Sequence, residues 1–195
     1  MKRFLDLFFS IIGLIICLPL LLFLACLIKL DSKGSVFYKQ VRVGKGNRDF
    51  KILKFRTMKE NSDNRGLLTI GSSDVRITNI GRFMRKYKID ELPQLINVIQ
   101  GNMSIVGPRP EVRKYVDLYT NEQKRVLTVR PGLTDFASIR YLNENELLAQ
   151  SNDPEKQYIE NIMPDKLKLN LDYIDQQSCW LDMKIIWQTL ISIVK

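Results

Sequence analysis

The chain has 195 residues, room for one ordinary domain, and its 45% hydrophobic and 26% charged residues exclude a disordered or low-complexity chain. Thirty Lys and Arg against twenty-one Asp and Glu give a formal charge of +9, so phosphates, nucleic acid or an anionic membrane surface are the natural partners. There is no histidine, which removes His-based triads, His general bases and the commonest zinc ligand and leaves carboxylates, lysine, hydroxyls or cysteine to carry any chemistry.

From Leu7 to Ile28 run twenty-two residues without a charge, enough to cross a bilayer core as a helix. Three readings compete: a cleaved signal peptide, a spanning helix, and a helix that enters the membrane and returns. No small-x-small cleavage site follows the run, which counts against the first. Both flanks are basic: Lys2 and Arg3 precede the run, and residues 29–59 hold ten basic and two acidic residues, a net of +8. Short basic flanks stay in the cytoplasm, so a straight spanning helix would misplace one of them. Pro19 removes a helical N–H and crowds the carbonyl of Ile15, so a kink or break is expected there. A helix that breaks at Pro19 and comes back keeps both flanks inside; a kinked spanning helix, which membranes tolerate, is the alternative. Cys17 and Cys26 lie in this run, and with Cys179 they form no CxxC pair, so a reduced protein is expected.

Beyond the run, the β-prone stretches 36–43 and 50–55, separated by Gly44-Lys45-Gly46-Asn47, predict a hairpin. A basic helix is predicted over 79–87. Asp90-Glu91-Leu92-Pro93 opens another that runs to Gln100 and stops at Gly101. Further helices are expected over 111–128 and 166–174. The tail from Trp180 to Val194 is apolar on most faces and reads either as a helix lying at the membrane interface or as a core helix. The fold class expected is α+β, predominantly α. A membrane segment (1–30) precedes one compact catalytic domain (31–195) with interfacial helices.

Four groups of residues could carry chemistry. Asp90 and Glu91 are adjacent carboxylates preceded by Arg82, Arg85, Lys86 and Lys88, and keeping both charged requires nearby cations or a metal. The plainer reading is that Asp90 caps a helix and Glu91 favours its positive end. Lys54 and Arg56 share a face of the second strand and could hold a diphosphate, or be solvated charges. In Gly107-Pro108-Arg109-Pro110 two prolines stiffen the backbone around one guanidinium, which suits bidentate phosphate binding. Asp74-Val75-Arg76 is too short to mean much alone.

In this order, the segments QVRVG (40–44), KFRTM (54–58), DVRIT (74–78), IGRFMRK (80–86), IDELPQLINVIQGNMSIVGPRPE (89–111) and RPGLT (130–134) closely resemble the bacterial sugar transferase family, the small monotopic phosphoglycosyl transferases. The resemblance covers nearly the whole chain. It implies a membrane enzyme that moves a sugar-1-phosphate from a UDP-sugar to polyprenyl (undecaprenyl) phosphate and releases UMP, as the first membrane step of glycoconjugate assembly. It also implies a re-entrant N-terminal helix broken at a proline, here Pro19, a catalytic dyad matching Asp90 and Glu91, and Mg²⁺ held by that pair. By the same resemblance Asp90 attacks the sugar-bearing phosphorus and Glu91 holds the metal or positions the acceptor. Lys54, Arg56, Arg76, Arg85 and Arg109 would bind phosphates. The expected location is the bacterial inner membrane, with the domain facing the cytoplasm and in contact with phospholipid. No nucleic acid partner is expected, and a homo-oligomer stays open.

Two departures stand out. Leu18-Pro19 replaces the Ser-Pro frequent at the helix break, and Asp135-Phe136-Ala137-Ser138-Ile139 replaces a Gly-Trp-Ala-Gln-Val stretch, which leaves the sugar undefined. A minimal catalytic form, without a membrane bundle ahead of the domain, is expected. The competing readings are a membrane-anchored basic module that binds anionic lipid or nucleic acid, and an inactive spanning scaffold.

Overall fold

The computed structural model describes residues 1–59 and 74–194. Helix α1 (Lys2–Asp31) is followed by the hairpin β1 (Phe37–Val43) and β2 (Asp49–Phe55), then α2 (Asn79–Lys86), α3 (Gln94–Ile99) and the short strand β3 (Ser104–Val106). The second half contains α4 (Arg113–Val116), β4 (Gly132–Thr134), α5 (Phe136–Arg140), α6 (Glu144–Ala149), α7 (Pro154–Gln157), α8 (Met163–Asp175) and α9 (Cys179–Val194). The molecule is mostly helical with two small sheets, as the predicted class requires.

Among the described residues one helix is long and apolar enough to cross a membrane, α1, and it is a single element of 30 residues that continues through Pro19. The expected helix-break-helix is therefore corrected: Pro19 removes one N–H donor and leaves the Ile15 carbonyl without that partner, which does not end the helix. Much of its apolar surface is uncovered, Ile15 and Ile16 being 67% and 72% exposed, and an uncovered apolar patch of this size marks a membrane or partner contact.

Both ends of α1 are fastened to the same body. At its start, Lys2 pairs with Asp182 of α9 at 2.7 Å, and Arg3 donates to the carbonyls of Ile99 and Met103. Asp6, buried, accepts from the Ser104 hydroxyl at 2.6 Å and the Ile105 amide at 3.1 Å. At its end, Leu24 and Ile28 pack with Phe55 and Met84, all nearly fully buried, each worth about 1.5–3 kcal/mol of transfer from water. There too the Asp31 carboxylate accepts from the Ile80 amide.

The hairpin pairs Phe37 with Phe55 through Val43 with Asp49, and its turn is possible because Gly46 and Asn47 take positive φ (68° and 60°), a conformation open to Gly and Asn at little cost. Asn97 of α3 clips the free edge of β2, accepting from the Leu53 amide and donating to the Lys51 carbonyl, each at 2.9 Å. Helix α2 lies directly on the Thr57 backbone: a Cβ on Gly81 would sit 2.1 Å from the Thr57 oxygen. Strands β3 and β4 pair in parallel, and they meet so closely that a Cβ on Gly132 would stand 2.2 Å from the Gly107 nitrogen.

The single helix expected over 111–128 is two short pieces, α4 and a 3₁₀ turn at Gln123–Thr128. Thr120 and Gln123 form a reciprocal capping box, each side chain accepting from the other's amide, and this restarts the helix. Between α7 and α8 the helix widens into a π turn at Tyr158–Ile162, which makes room for Pro164 where a regular turn would clash. On α9, Ile185 is fully buried while Trp180 and Trp187 are 80% and 65% exposed, so the tail joins a core face to an uncovered apolar face.

Candidate active site

Asp90 and Glu91 do not cap a helix. They sit in a tight 3₁₀ turn, Ile89–Glu91, ahead of α3, and both are buried. The turn is entered through Lys88, whose backbone is left-handed (φ 54°, ψ 18°), a conformation that costs a non-glycine residue about 1–2 kcal/mol and that gathers at functional sites.

Glu91 is gripped from two directions. Lys54 Nζ, placed by the Asn97 clip one residue earlier on β2, donates to Glu91 Oε1 at 2.9 Å. Arg109 donates through Nη1 to Oε2 at 3.0 Å and through Nη2 to Oε1. The fork of Arg109 is aimed by its own backbone: its amide donates to Asp135 Oδ2 at 2.9 Å, the Gly107 amide to the Thr134 carbonyl, and the Gly132 amide to the Pro108 carbonyl. Glu111, four residues after Gly107, accepts from Arg42, from its neighbour Val112 and from Tyr158, which fixes the other end of the proline-rich turn.

Asp90 is different. Among the described residues no hydrogen bond or ion pair reaches its carboxylate, and the nearby charges act on it only through space. Burial, then the Glu91 charge, push its carboxyl up to about 6, against the pull of Lys54, Arg85 and Lys88. Burial alone would raise Glu91 as well, but Arg109 and Lys54 overcome it and hold that carboxyl well below the usual range. Burial lowers Lys54 and Lys88, opposed by the two carboxylates. Arg85 is steadied by donating through Nε to the Thr57 hydroxyl at 2.8 Å.

The site therefore holds Lys54, Arg85, Lys88 and Arg109 around two carboxylates, an excess of positive charge suited to phosphates. At neutral pH Asp90 is mostly ionised and is tied to no partner among the described residues, which is the condition for a carboxylate to act as nucleophile or base. A hard divalent cation uses one or two carboxylates and completes its shell with substrate phosphate oxygens. Asp90 fits that requirement, whereas Glu91 as placed already spends both oxygens on Arg109 and Lys54. Among the described residues no cluster of three or more His, Cys, Asp or Glu offers a preformed metal cage.

Of the residues singled out in the sequence, the structure brings together Asp90, Glu91, Lys54, Arg85 and Arg109, with Lys88 from the cations that precede the pair. Arg56 has another occupation. Its guanidinium donates to the carbonyls of Ser32 and Lys33, each at 2.7 Å, and of Ile28 at 3.3 Å, so it fastens the end of α1 while it also lines the cleft. Arg76 forks onto Asp74, Nη2 to Oδ2 at 2.6 Å, and lines the same cleft, where its charge also acts on Arg85. With Arg42, Lys54 and Arg56 engaged inside the protein, the basic stretch 29–59 is not one solvated patch, which disfavours a module built only to bind anionic surfaces.

A cleft of about 700 Å³ opens over the pair, within the range of small-molecule sites. Its lining includes the charged group just described and also apolar residues, among them Leu133, Ile139 and the α9 residues Ile186, Leu190 and Ile193.

The sequence profile of the bacterial sugar transferases matches residues 1–195. This chain belongs to the bacterial sugar transferase family. Relatives within that family include the UDP-N-acetylgalactosamine-undecaprenyl-phosphate N-acetylgalactosaminephosphotransferase of Aeromonas hydrophila, 39% identical over 99% of this chain and 43% of the Aeromonas protein. The uncharacterized sugar transferase EpsL of Bacillus subtilis is 38% identical over 97% of this chain and 85% of its own length. The UDP-glucose:undecaprenyl-phosphate glucose-1-phosphate transferase of Caulobacter vibrioides is 36% identical over 99% of this chain and 69% of its own. The chain thus spans less than half of the first of these family members and most of the other two.

Proposed function

We propose that the protein transfers a sugar-1-phosphate from a UDP-sugar to polyprenyl phosphate, with undecaprenyl phosphate as the acceptor, and releases UMP. The observation that carries this reading is the buried Asp90 carboxylate, without a bonded partner among the described residues, beside a Glu91 fully engaged by Arg109 and Lys54. Family membership and the names of the relatives support it.

In the first step an Asp90 oxygen attacks the sugar-bearing phosphorus. The bond from that phosphorus to the bridging oxygen breaks, and UMP leaves with the electron pair. In the second step a phosphate oxygen of the polyprenyl phosphate attacks the same phosphorus, the aspartyl–phosphorus bond breaks, and the Asp90 carboxylate is restored. Arg85, Lys88 and Lys54 counter the charge that accumulates on the phosphate oxygens, and such preorganised cations are the largest single contribution in chemistry of this kind. Mg²⁺ would be held by Asp90 together with the phosphate oxygens, where it supplies further positive charge. Glu91 keeps Lys54 and Arg109 at fixed positions.

The reading extends to the membrane. Both ends of α1 are fastened to one body, which supports a helix that dips into the bilayer and leaves both basic flanks on the cytoplasmic face of the inner membrane. The exposed tryptophans of α9 suit the headgroup level. The charged residues of the cleft would receive the phosphates of the soluble donor and the apolar residues of α9 the lipid acceptor, in the first membrane step of a glycoconjugate pathway.

The test is UMP release from a panel of UDP-sugars by the detergent-purified protein with Mg²⁺, with and without undecaprenyl phosphate, for the parent and Asp90→Asn. Acceptor-dependent release that is lost in Asp90→Asn is expected; equal release by both proteins would sink the reading.

A further inference from the structure

Two buried polar atoms in the wall of the cleft, Ser138 Oγ and Asn170 Oδ1, have no hydrogen-bond partner among the described residues. Leaving such a group unsatisfied costs about 1–3 kcal/mol in protein interiors, so each one calls for a reason. Asn170 is only 4% exposed and is the polar member of the inward stripe of α8, in line with Met163, Leu167 and Tyr173. A leucine would fill that place without the cost. Three other neutral polar side chains of the wall are hydrogen-bonded: Thr134 and Thr189 share a hydrogen bond at 2.6 Å, and the Tyr141 hydroxyl donates to Asp165.

The position of Ser138 bears on the nature of the missing partner. Its amide donates to one oxygen of Asp135, and the other oxygen of the same carboxylate accepts from the Arg109 amide. Ser138 therefore stands one carboxylate away from the arginine that grips Glu91, next to the residue proposed to attack the sugar-bearing phosphorus. Helix α5, which carries Ser138, packs on α8, which carries Asn170. The moiety bonded to the attacked phosphorus is the sugar, whereas the uracil lies one phosphate and a ribose further off. A sugar hydroxyl or amide N–H can donate to Asn170 Oδ1, and the Ser138 hydroxyl can donate or accept.

We infer that Ser138 and Asn170 form the subsite that reads the sugar ring of the donor, and that the choice of sugar depends on this pair. The inference rests on the proposed transferase function. A site built to hydrogen-bond a hydroxyl rejects an analogue that lacks it, because its own buried groups are then left unpaired.

The experiment uses the full chain in detergent with undecaprenyl phosphate and measures kcat and KM for UMP release from UDP-glucose, UDP-N-acetylgalactosamine, their C4 epimers and deoxy analogues. Parent, Ser138→Ala and Asn170→Leu are compared, with inhibition by UMP measured alongside. The expected result is that each variant narrows the ratio between the best and worst sugars by about tenfold, the value of one hydrogen bond, chiefly through KM. Inhibition by UMP should be unchanged. A melting temperature for Asn170→Leu at or above that of the parent would accompany this, since an unsatisfied amide has been removed. An unchanged sugar ratio in both variants overturns the inference and leaves the transferase reading intact. Equal losses on every sugar with weaker UMP inhibition also overturn it, since the pair would then belong to the nucleotide. No Asp90-dependent release from any UDP-sugar by the parent overturns the function and this inference with it.

Discussion

Arg109 holds Glu91 through both of its terminal nitrogens, while Asp90, the preceding residue, has no bonded partner among the described residues. Two carboxylates adjacent in sequence are thus put to opposite electrostatic use, and replacing each by its amide has opposite consequences for stability.

Asp90→Asn is expected to stabilise the protein at neutral pH. The folded-state value of about 6 lies above the ordinary 3.8, so the folded protein binds this proton more tightly than the unfolded chain does. Stability then falls as pH rises from about 4 to about 6 and levels off above. The amide removes that fall, a gain of about 1–3 kcal/mol at pH 7.5 that vanishes near pH 4. Thermal melts of both proteins across that range check it; a variant less stable than the parent at pH 7.5 would contradict the account.

Glu91→Gln should do the reverse, because Arg109 and Lys54 keep their charges and lose the carboxylate between them. Breaking a buried pair from one side costs about 2–5 kcal/mol. Glu91 is held well below its ordinary value, so its contribution is present above the unfolded value and is lost as pH falls through the folded one. The measurement is urea unfolding at pH 7.5, and a midpoint equal to that of the parent would show that the pair contributes nothing.

The rate of UMP release should rise with pH through about 6 as Asp90 ionises, then flatten. Arg85 is among the cations that pull the Asp90 value down, so Arg85→Gln should move the rise to higher pH as well as slow the reaction. A profile flat from pH 5 to 8 in the parent would exclude Asp90 ionisation from the rate.

Arg56→Met is expected to lower the melting temperature, since the carbonyls of Ile28, Ser32 and Lys33 lose their donor, and to leave the KM for UDP-sugar within about twofold of the parent. Each lost hydrogen bond to a charged group is worth about 1.5–3 kcal/mol. A tenfold rise in KM with unchanged stability would return Arg56 to the phosphate site.

Single cysteines at Lys2 and at Lys45, in a background with Cys17, Cys26 and Cys179 replaced by serine, test the path of α1. Both should be shielded from a membrane-impermeant maleimide in intact cells and labelled after permeabilisation. Labelling of position 2 alone from outside would establish a spanning helix.

The hairpin was readable because its alternation and the Gly44–Asn47 turn are local, and the Asp90–Glu91 pair because adjacent carboxylates among cations are conspicuous. Lys54, Arg85 and Arg109 were found for the same reason: charge is visible along a chain. What those charges touch was not. Arg56 resembles Lys54 in sequence, yet its partners are carbonyls about two dozen residues away, exposed only because α1 ends there. Strands β3 and β4, three residues each, exist through the approach of Gly107 to Gly132, a contact between distant segments. Lys88 gives no residue-type signal for its left-handed backbone. The Thr120–Gln123 capping box, by contrast, lay in plain view in the Thr-Asn-Glu-Gln spacing and divides what otherwise reads as one helix.

An anchor attached at one end by a flexible linker lets its protein ride at many heights above a surface. Helix α1 has no such slack, because Lys2, Arg3 and Asp6 at one end and Ile28, Asp31 and Ser32 at the other are bonded to the body that carries the cleft. The distance between the apolar middle of α1 and Asp90 is therefore a property of the fold. Wherever that helix settles, the depth at which Asp90 meets its ligands is already set.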